Sequence, residues 1–430
     1  MRLAVVSPFV DRRHGSERAL AEVLERLARD YPCEVHLFAQ RVEDLAMVPS
    51  SVRDSEGSGR VIWHRVAPHG GPHLLQFIRW YFSNRAAREE FVRLSGKPFD
   101  LVFSPGINCA DADVILVHAV FRRLQELALQ KAPGLQPGRD KIPNEPADPQ
   151  ASFSKPALAG LPRALHRKIY YWWLAGLERR IYGDPGVTLA AVAPRTKSEL
   201  VKSFQRQDVA VIPNAVATET FSPAARLAQR ETMRTRFGFA ADDFVLLLIG
   251  NDWTNKGLPA VLQAMARLPE IPLRLLVVGE DALEPFRKMA ESLKVAERCC
   301  WKGPAAEVIG FYGAADVYVS PSLEDSFGMP VAEAMACGLP VITSAFAGIS
   351  AYVKDGVNAI VLQDPGDTEA LAARLQEMYS DVTGREAMGH AAADIASTWT
   401  WERNAAEVWE LLQGALTRKA TGAATKATKS

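Results

Sequence analysis

Two kinds of hydrophobic pattern alternate along the chain. Short, almost wholly apolar runs occupy residues 3–6, 35–38, 61–63, 101–103, 114–117, 187–192 and 209–212, and again 244–249, 275–278, 317–319, 339–342 and 359–362. Runs this uniform suit strands of a parallel sheet covered on both faces; a strand with one wet face would alternate. Between them, apolar residues recur at helical spacing: Leu20, Val23, Leu24 and Leu27 in one segment, Val261, Leu262, Met265 and Leu268 in another, Val331, Ala334 and Met335 in a third. Strand and helix in alternation predict an α/β fold. At 430 residues the chain is too long for one ordinary core, so two such domains are expected, 1–225 and 226–398, with a linker within 218–230. A helix over 399–416 is expected to cross back to the first domain, ahead of a small, polar, basic tail, 417–430, that reads as disordered. Residues 131–162 are rich in Pro, Gly, Asp and Lys without periodicity and read as a long loop of the first domain.

The densest run of signals spans residues 316–343. Val317-Tyr318-Val319 stops at Ser320-Pro321, and Gly328-Met329-Pro330 opens a helix that Cys337-Gly338 closes ahead of the next apolar run. Proline suits a first helical turn because its missing N–H would have no intrahelical partner there. A helix start behind a buried strand offers free N–H groups and a positive dipole end to an anion. Acids flank this start: Glu324 and Asp325 before the glycine, Glu333 within the helix. Carboxylates beside an anion site must recognise something neutral attached to the anion, and hydroxyl-rich ribose and sugar rings suit that role.

This stretch resembles the donor-binding signature of the family 4 glycosyltransferases, retaining enzymes of the GT-B fold. The family pattern is Glu, seven residues, Glu, with Phe-Gly inside it and Glu-Ala-Met-Ala-x-Gly-x-Pro-Val after it. Phe327-Gly328 and the run from Glu333 to Val341 match; Asp325 fills the first acidic position, one methylene shorter, with Glu324 beside it. The resemblance implies an α/β GT-B architecture, two Rossmann-like domains facing each other across a cleft. It implies a nucleotide diphosphate sugar held mostly by the second domain and an acceptor hydroxyl held by the first. It also implies transfer that keeps the donor's anomeric configuration, with the leaving phosphate oxygen taking the acceptor proton and neither metal nor other cofactor required.

Further matches carry the rest of the site. Lys256-Gly257 matches the family's phosphate-binding lysine, whereas Asn251 stands where an arginine is often found. Gly15-Ser16-Glu17 resembles the Gly-Gly-x-Glu loop near the donor phosphates, with Ser16 for one glycine, and Trp301-Lys302-Gly303-Pro304 lies where the nucleotide base is held. On this resemblance Gly15, Ser16, Lys256, Gly328 and Met329 meet the phosphates, and Glu333 meets the ribose. Glu324, Asp325, Ser326 and Phe327 orient the sugar. His118, ending the run 114–117, would contact the transferred sugar or the acceptor, and the implied catalytic set is His118, Lys256, Asp325 and Glu333. The aromatic, arginine-rich helix over 73–91 is the region that faces the acceptor in such enzymes; Arg79, Trp80, His118 and Arg122 are the candidate contacts, with ordinary helix packing the alternative.

Composition trims the possibilities. Fifty basic and fifty acidic residues cancel, but 30 Lys and Arg against 24 Asp and Glu precede residue 225, leaving 20 against 26 beyond it. The basic half suits an anionic acceptor or membrane surface. No basic block interleaved with aromatics points to nucleic acid. In residues 163–182, Trp172-Trp173 stand among His166, Arg167, Lys168, Arg179 and Arg180; this helix either lies on an anionic membrane or caps the first domain. Cys33, Cys109, Cys299, Cys300 and Cys337 lack CxxC spacing and read as reduced thiols of a cytoplasmic protein. No apolar run approaches eighteen residues, so the chain reads as soluble or peripheral, and a membrane contact would be with the inner face of the plasma membrane. Asp111-Ala112-Asp113 matches a metal-binding Asp-x-Asp but directly precedes a buried strand and reads as a turn. A nicotinamide dehydrogenase would need Gly-x-Gly-x-x-Gly after a strand, which neither domain's first strand offers. A GT-B epimerase and a non-catalytic binding subunit are the remaining alternatives, the second favoured by the cation lost at Asn251. Glycan, lipid-linked and small-molecule acceptors all fit, with cell-surface polysaccharide, lipopolysaccharide or glycolipid synthesis as the setting; no oligomeric state is implied.

Overall fold

The computed structural model describes residues 1–12, 15–49, 59–68, 70–71, 73–123 and 163–427; the loop expected at 131–162 lies outside them. The chain forms two compact units. The first holds the described residues up to Asn214 and from Trp401 onward, the second Ala215–Thr400. The boundary therefore falls after Asn214, ahead of the expected position at 225.

The first unit's strands are β1 (Arg2–Val6), β2 (Phe9–Val10), β3 (Glu34–Ala39), β4 (Arg41–Val42), β5 (Met47–Pro49), β6 (Val61–Arg65), β7 (Leu101–Ser104), β8 (Val114–Val117), β9 (Thr188–Ala191) and β10 (Ala210–Val211). Its main sheet runs β10-β9-β8-β7-β1-β3-β6-β5, with β2 and β4 paired separately, and the pairings are parallel. Leu3, Ala4, Val5 and Val6 are fully buried, as both-face coverage requires. Strand order reverses at β1, with β3 on one side and β7 on the other. Helices α1 (Gly15–Asp30), α2 (His73–Ser95), α3 (Arg163–Tyr182) and α4 (Pro194–Phe204) belong to this unit.

The second unit is built on β11 (Phe244–Ile249), β12 (Leu273–Val278), β13 (Cys299–Lys302), β14 (Val317–Ser320), β15 (Val341–Ser344) and β16 (Ile360–Leu362). Their order is β13-β12-β11-β14-β15-β16, all parallel. Counted within the unit this is 3-2-1-4-5-6, the doubly wound order in which ligands bind beyond the carboxyl ends of the two strands where direction reverses. Here those strands are β11 and β14. Around the sheet lie α5 (Pro223–Phe237), α6 (Leu258–Ala266), α7 (Leu283–Ser292), α8 (Ile309–Ala314), α9 (Met329–Ala336), α10 (Thr368–Ser380) and α11 (Val382–Ala396). Leu246, Leu248, Val261, Leu262, Met265, Leu275, Val277, Val319 and Ile342 sit in one apolar core.

Two expectations fail. Most of the linker read at 218–230 is the first half of α5. Ser222 caps it, its Oγ accepting from the Ala225 N–H at 3.3 Å, Pro223 opens it and Gly238 at φ 71° ends it; these are the start and stop residues a helix asks for. Nor is the C-terminal stretch disordered from 417: the last helix, α12 (Trp401–Ala427), continues through it. Ala, Lys and Arg favour helix there, and two cations find partners in the first unit. Arg418 Nη2 donates to Thr188 Oγ1 at 2.8 Å, and Lys419 Nζ reaches Asp113 Oδ2 at 2.9 Å.

Candidate functional site

The loop after β11 turns sharply at Gly250, φ 147°, and returns to α6 through Gly257, φ 80°. Both conformations exclude a side chain cheaply only as glycine. A Cβ at Gly250 would come within 2.9 Å of Lys256 Cε, and one at Gly257 within 2.2 Å of the Pro321 carbonyl oxygen. The lysine stem thus lies over the strand end, and the loops after β11 and β14 touch backbone to backbone. Asn255 stitches them further: its Nδ2 donates to Glu324 O at 2.7 Å, and its C=O accepts from Leu323 N at 2.8 Å.

The Lys256 ammonium meets Asp325 Oδ2 at 2.5 Å, each side chain only 15 % exposed. A pair so withdrawn from water is costly to break from one side. Asp325 is itself held in place: its N–H donates to Phe346 O, its C=O accepts from Gly348 N, and Ile349 N donates to Phe327 O at 2.7 Å. Beside it α9 begins at Met329 behind Gly328, with no side-chain cap. Ser326 is half-buried and Phe327 fully buried. Glu333, in α9, is 2 % exposed and its Oε2 accepts from the Tyr312 hydroxyl at 2.7 Å; burial pushes that hydroxyl's pKa well above the usual tyrosine value. Nothing in the α8 sequence marks Tyr312 as a partner of Glu333. Lys256, Glu324, Asp325, Ser326, Phe327, Gly328, Met329 and Glu333 therefore gather at the reversal point of the second sheet.

The remaining donor candidates of this unit serve its packing. Asn251 Oδ1 accepts from the Glu280 N–H at 2.8 Å, tying the β11 and β12 loops together where an arginine was the family's choice. Trp301 is half-buried against Trp253, ring centroids 5.6 Å apart. Lys302 lies over the Phe237 ring at 5.1 Å, and its carbonyl accepts from Gly279 N at 3.1 Å.

In the first unit His118 ends β8. Both ring nitrogens are buried with no hydrogen-bond partner among the described residues. Burial lowers its pKa to about 4, against a weak opposing pull from the Leu116 backbone, so the imidazole is neutral at pH 7, with one donor and one acceptor nitrogen. Gly15 opens α1, and Ser16 Oγ donates to Glu17 Oε2 at 2.6 Å. Arg122 is exposed while its backbone N–H is taken by Glu178 at 3.0 Å. Arg79 is exposed and donates to Gly70 O at 2.8 Å. Trp80 corrects the expectation: at 2 % exposure it is core, turned inward because α2 packs that face on the sheet, and its surface is closed to an acceptor. Asp111 takes both arms of Arg88 at 2.8 and 3.0 Å, and Asp113 accepts from Val102 N, which suits a turn.

The two tryptophans of α3 divide between the two readings of that helix. Trp173 packs edge-on to Phe77 of α2, centroids 5.6 Å apart, whereas Trp172 is 72 % exposed and Phe82 on α2 66 %. The side chains of His166, Arg167 and Lys168 lie outside the description. Among the described residues no helix is long and apolar enough to cross a membrane.

Comparison with known proteins adds three findings. Residues 229–394 match the model of the family described as glycosyl transferases group 1. D-inositol 3-phosphate glycosyltransferase of Paenarthrobacter aurescens is 32 % identical over 242 residues, 53 % of this chain and 57 % of that protein; the chain thus spans little more than half the length of this curated relative. In structure the chain resembles WaaG, described as a glycosyltransferase involved in lipopolysaccharide biosynthesis, with a TM-score of 0.72 at 19 % identity over 94 % of this chain and 98 % of that one. It also resembles Anabaena HepE in complex with UDP and glucose, TM-score 0.67 at 15 % identity over 96 % and 100 %. These likenesses establish a GT-B fold of two parallel-sheet α/β domains.

Proposed function

From the match of residues 229–394 to the glycosyl transferases group 1 family model, we propose that the chain moves a sugar from a nucleotide diphosphate sugar to an acceptor hydroxyl, keeping the donor's anomeric configuration. The observation that carries this reading is the buried Lys256–Asp325 pair, at the strand-order reversal and beside the uncapped start of α9. A diphosphate brings the charge that lets the ammonium leave or share its carboxylate. Lys256 and the N–H groups opening α9 then stabilise the negative charge that grows on the pyrophosphate as its bond to the sugar breaks. Asp325, released, accepts from a sugar hydroxyl with Glu324, Ser326 and Phe327 beside it. Glu333, steadied by Tyr312, accepts from the ribose hydroxyls.

Among the described residues we identify no pair of carboxylates placed as nucleophile and acid, and on this reading the leaving phosphate oxygen takes the acceptor proton. The neutral His118 serves by hydrogen bonding. The complex of HepE with UDP and glucose makes a uridine donor the first to try. A glycan or lipid-linked acceptor is the preferred class, and the exposed Trp172 and Phe82 give the first unit an apolar face for an anionic membrane surface. The test is a panel of UDP- and GDP-sugars, first for thermal stabilisation and then for transfer to hydroxylated acceptors, with the product's linkage read by NMR. A stabilising donor and a product of unchanged anomeric configuration are expected. Inverted product would overturn the retaining assignment.

A further inference from the structure

The first unit buries an acid that the proposed chemistry does not use. Glu178, in α3, is fully buried. Its Oε1 accepts from the Phe121 N–H at 2.6 Å and its Oε2 from the Arg122 N–H at 3.0 Å. Packing does not call for it: Leu174, Ile181 and Tyr182 on the same helix are each at most 3 % exposed and anchor it with apolar surface. A buried carboxylate is expensive to keep, and here burial pushes its pKa up to about 7 despite both backbone bonds and the Arg122 charge.

What the acid grips is the start of the helical stretch at 121–123, which begins three residues after His118. Such N–H groups are ordinarily capped by Ser, Thr, Asp or Asn just ahead of them, but the residues there are Ala119 and Val120. The cap comes instead from a distant helix. Among the described residues the ring nitrogens of His118 have no side-chain partner, and its backbone is held by β8 on one side and by this grip on the other. We infer that Glu178 is a positioning residue for His118: by clamping the Phe121 and Arg122 amides it holds the end of β8 so that the imidazole stays buried and aimed. The inference rests on the reading that His118 serves the acceptor step.

The test uses the full chain with Glu178→Gln and Glu178→Asp, ring-labelled histidine and NMR, the His118 signal being assigned by His118→Gln. In Glu178→Gln a donor NH2 replaces one of the two oxygens that now accept from Phe121 and Arg122 separately, so the two-oxygen grip is lost. His118 is then expected to titrate close to the ordinary histidine value, with turnover down tenfold to a hundredfold, the scale of a small misplacement, and the KM for the sugar nucleotide within about twofold. Glu178→Asp, with a shorter arm, should fall between, and carries the test alone if the glutamine variant does not fold. A folded variant whose melting temperature drops while His118 titration and turnover stay put would reduce Glu178 to a helix cap and overturn the inference. A shifted His118 titration in Glu178→Gln, combined with normal turnover of His118→Ala, would uphold the positioning and sink the acceptor role of His118.

Discussion

The two sheets both put their chemistry beyond the carboxyl ends of parallel strands, at the strand-order reversal in the second unit and after β8 in the first, and leave it in opposite states. In the second unit Lys256 and Asp325 satisfy each other, and Glu333 has its tyrosine. In the first, both ring nitrogens of His118 are buried and have no hydrogen-bond partner among the described residues. The contrast teaches how each side must meet its ligand. A ligand of the second unit has to outbid an existing ion pair, which a doubly charged diphosphate does and a neutral sugar does not. A ligand of the first unit meets a waiting donor and acceptor, and needs only a hydroxyl.

The sharpest way to break that contrast is Lys256→Ala. Turnover with an accepted sugar nucleotide should fall a hundredfold or more, the scale of losing one preorganised electrostatic donor. The same change strands Asp325 and should cost about 3 kcal/mol of stability in urea titrations. Adding Asp325→Asn should recover most of that stability and none of the turnover; recovery of both would mean the pair is only structural. Next in size is Gly257→Ala, where the new Cβ meets the Pro321 carbonyl at 2.2 Å and φ is 80°. A loss of roughly 2 kcal/mol or more is expected, whereas Gly414→Ala, in the interior of α12 where a Cβ would meet only Arg418 Nη1 at an ordinary 3.7 Å, should gain about 0.5–1 kcal/mol.

Within the first unit, pH acts on two buried groups with opposite signs. His64 of the first unit shares a proton site with His36 at 2.8 Å and stacks on Phe38 at 4.5 Å; burial lowers its pKa from 6.5 to about 3. The unfolded chain binds that proton near 6.5 and the folded one refuses it, so the His64 contribution is whole above 6.5 and is lost as pH falls toward 3. Glu178 acts with the opposite sign, since its pKa is raised from 4.5 to about 7: its contribution is whole below 4.5 and is lost as pH rises through 7. Urea midpoints measured across this range should decline at both ends, and His64→Phe should flatten the acid limb. The smallest effect belongs to Trp172→Ala, expected to move stability by under about 0.5 kcal/mol while weakening retention on anionic vesicles. Equal retention would remove the membrane face.

Much of this was legible because the chemistry is local in sequence. The uniform apolar runs marked the buried strands, and the spacing from Asp325 through Gly328 to Glu333 marked a strand end, a helix start and its acids. Arg163–Tyr182 was delimited as a helix from its pattern alone. Partnerships across sequence were not legible. Tyr312 reaching Glu333, Glu178 capping Phe121 and Asn251 tying down Glu280 depend on which segments the fold brings together, and each is a single polar residue inside an apolar or mixed run. Trp80 misled because an aromatic stripe reads alike whether it faces a ligand or the sheet. The helix α5 was missed although Ser222-Pro223 and Gly238 announced it, since its surface is too polar for an obvious stripe.

The central claim is that a diphosphate takes Lys256 from Asp325 at the amino end of α9. A crystal structure of the chain soaked with UDP tests it most directly. The account predicts phosphate oxygens against the Met329 end of the helix, the Lys256 ammonium turned onto them and the ribose on Glu333. Nucleotide bound elsewhere, or none bound with Lys256 still on Asp325, would contradict it.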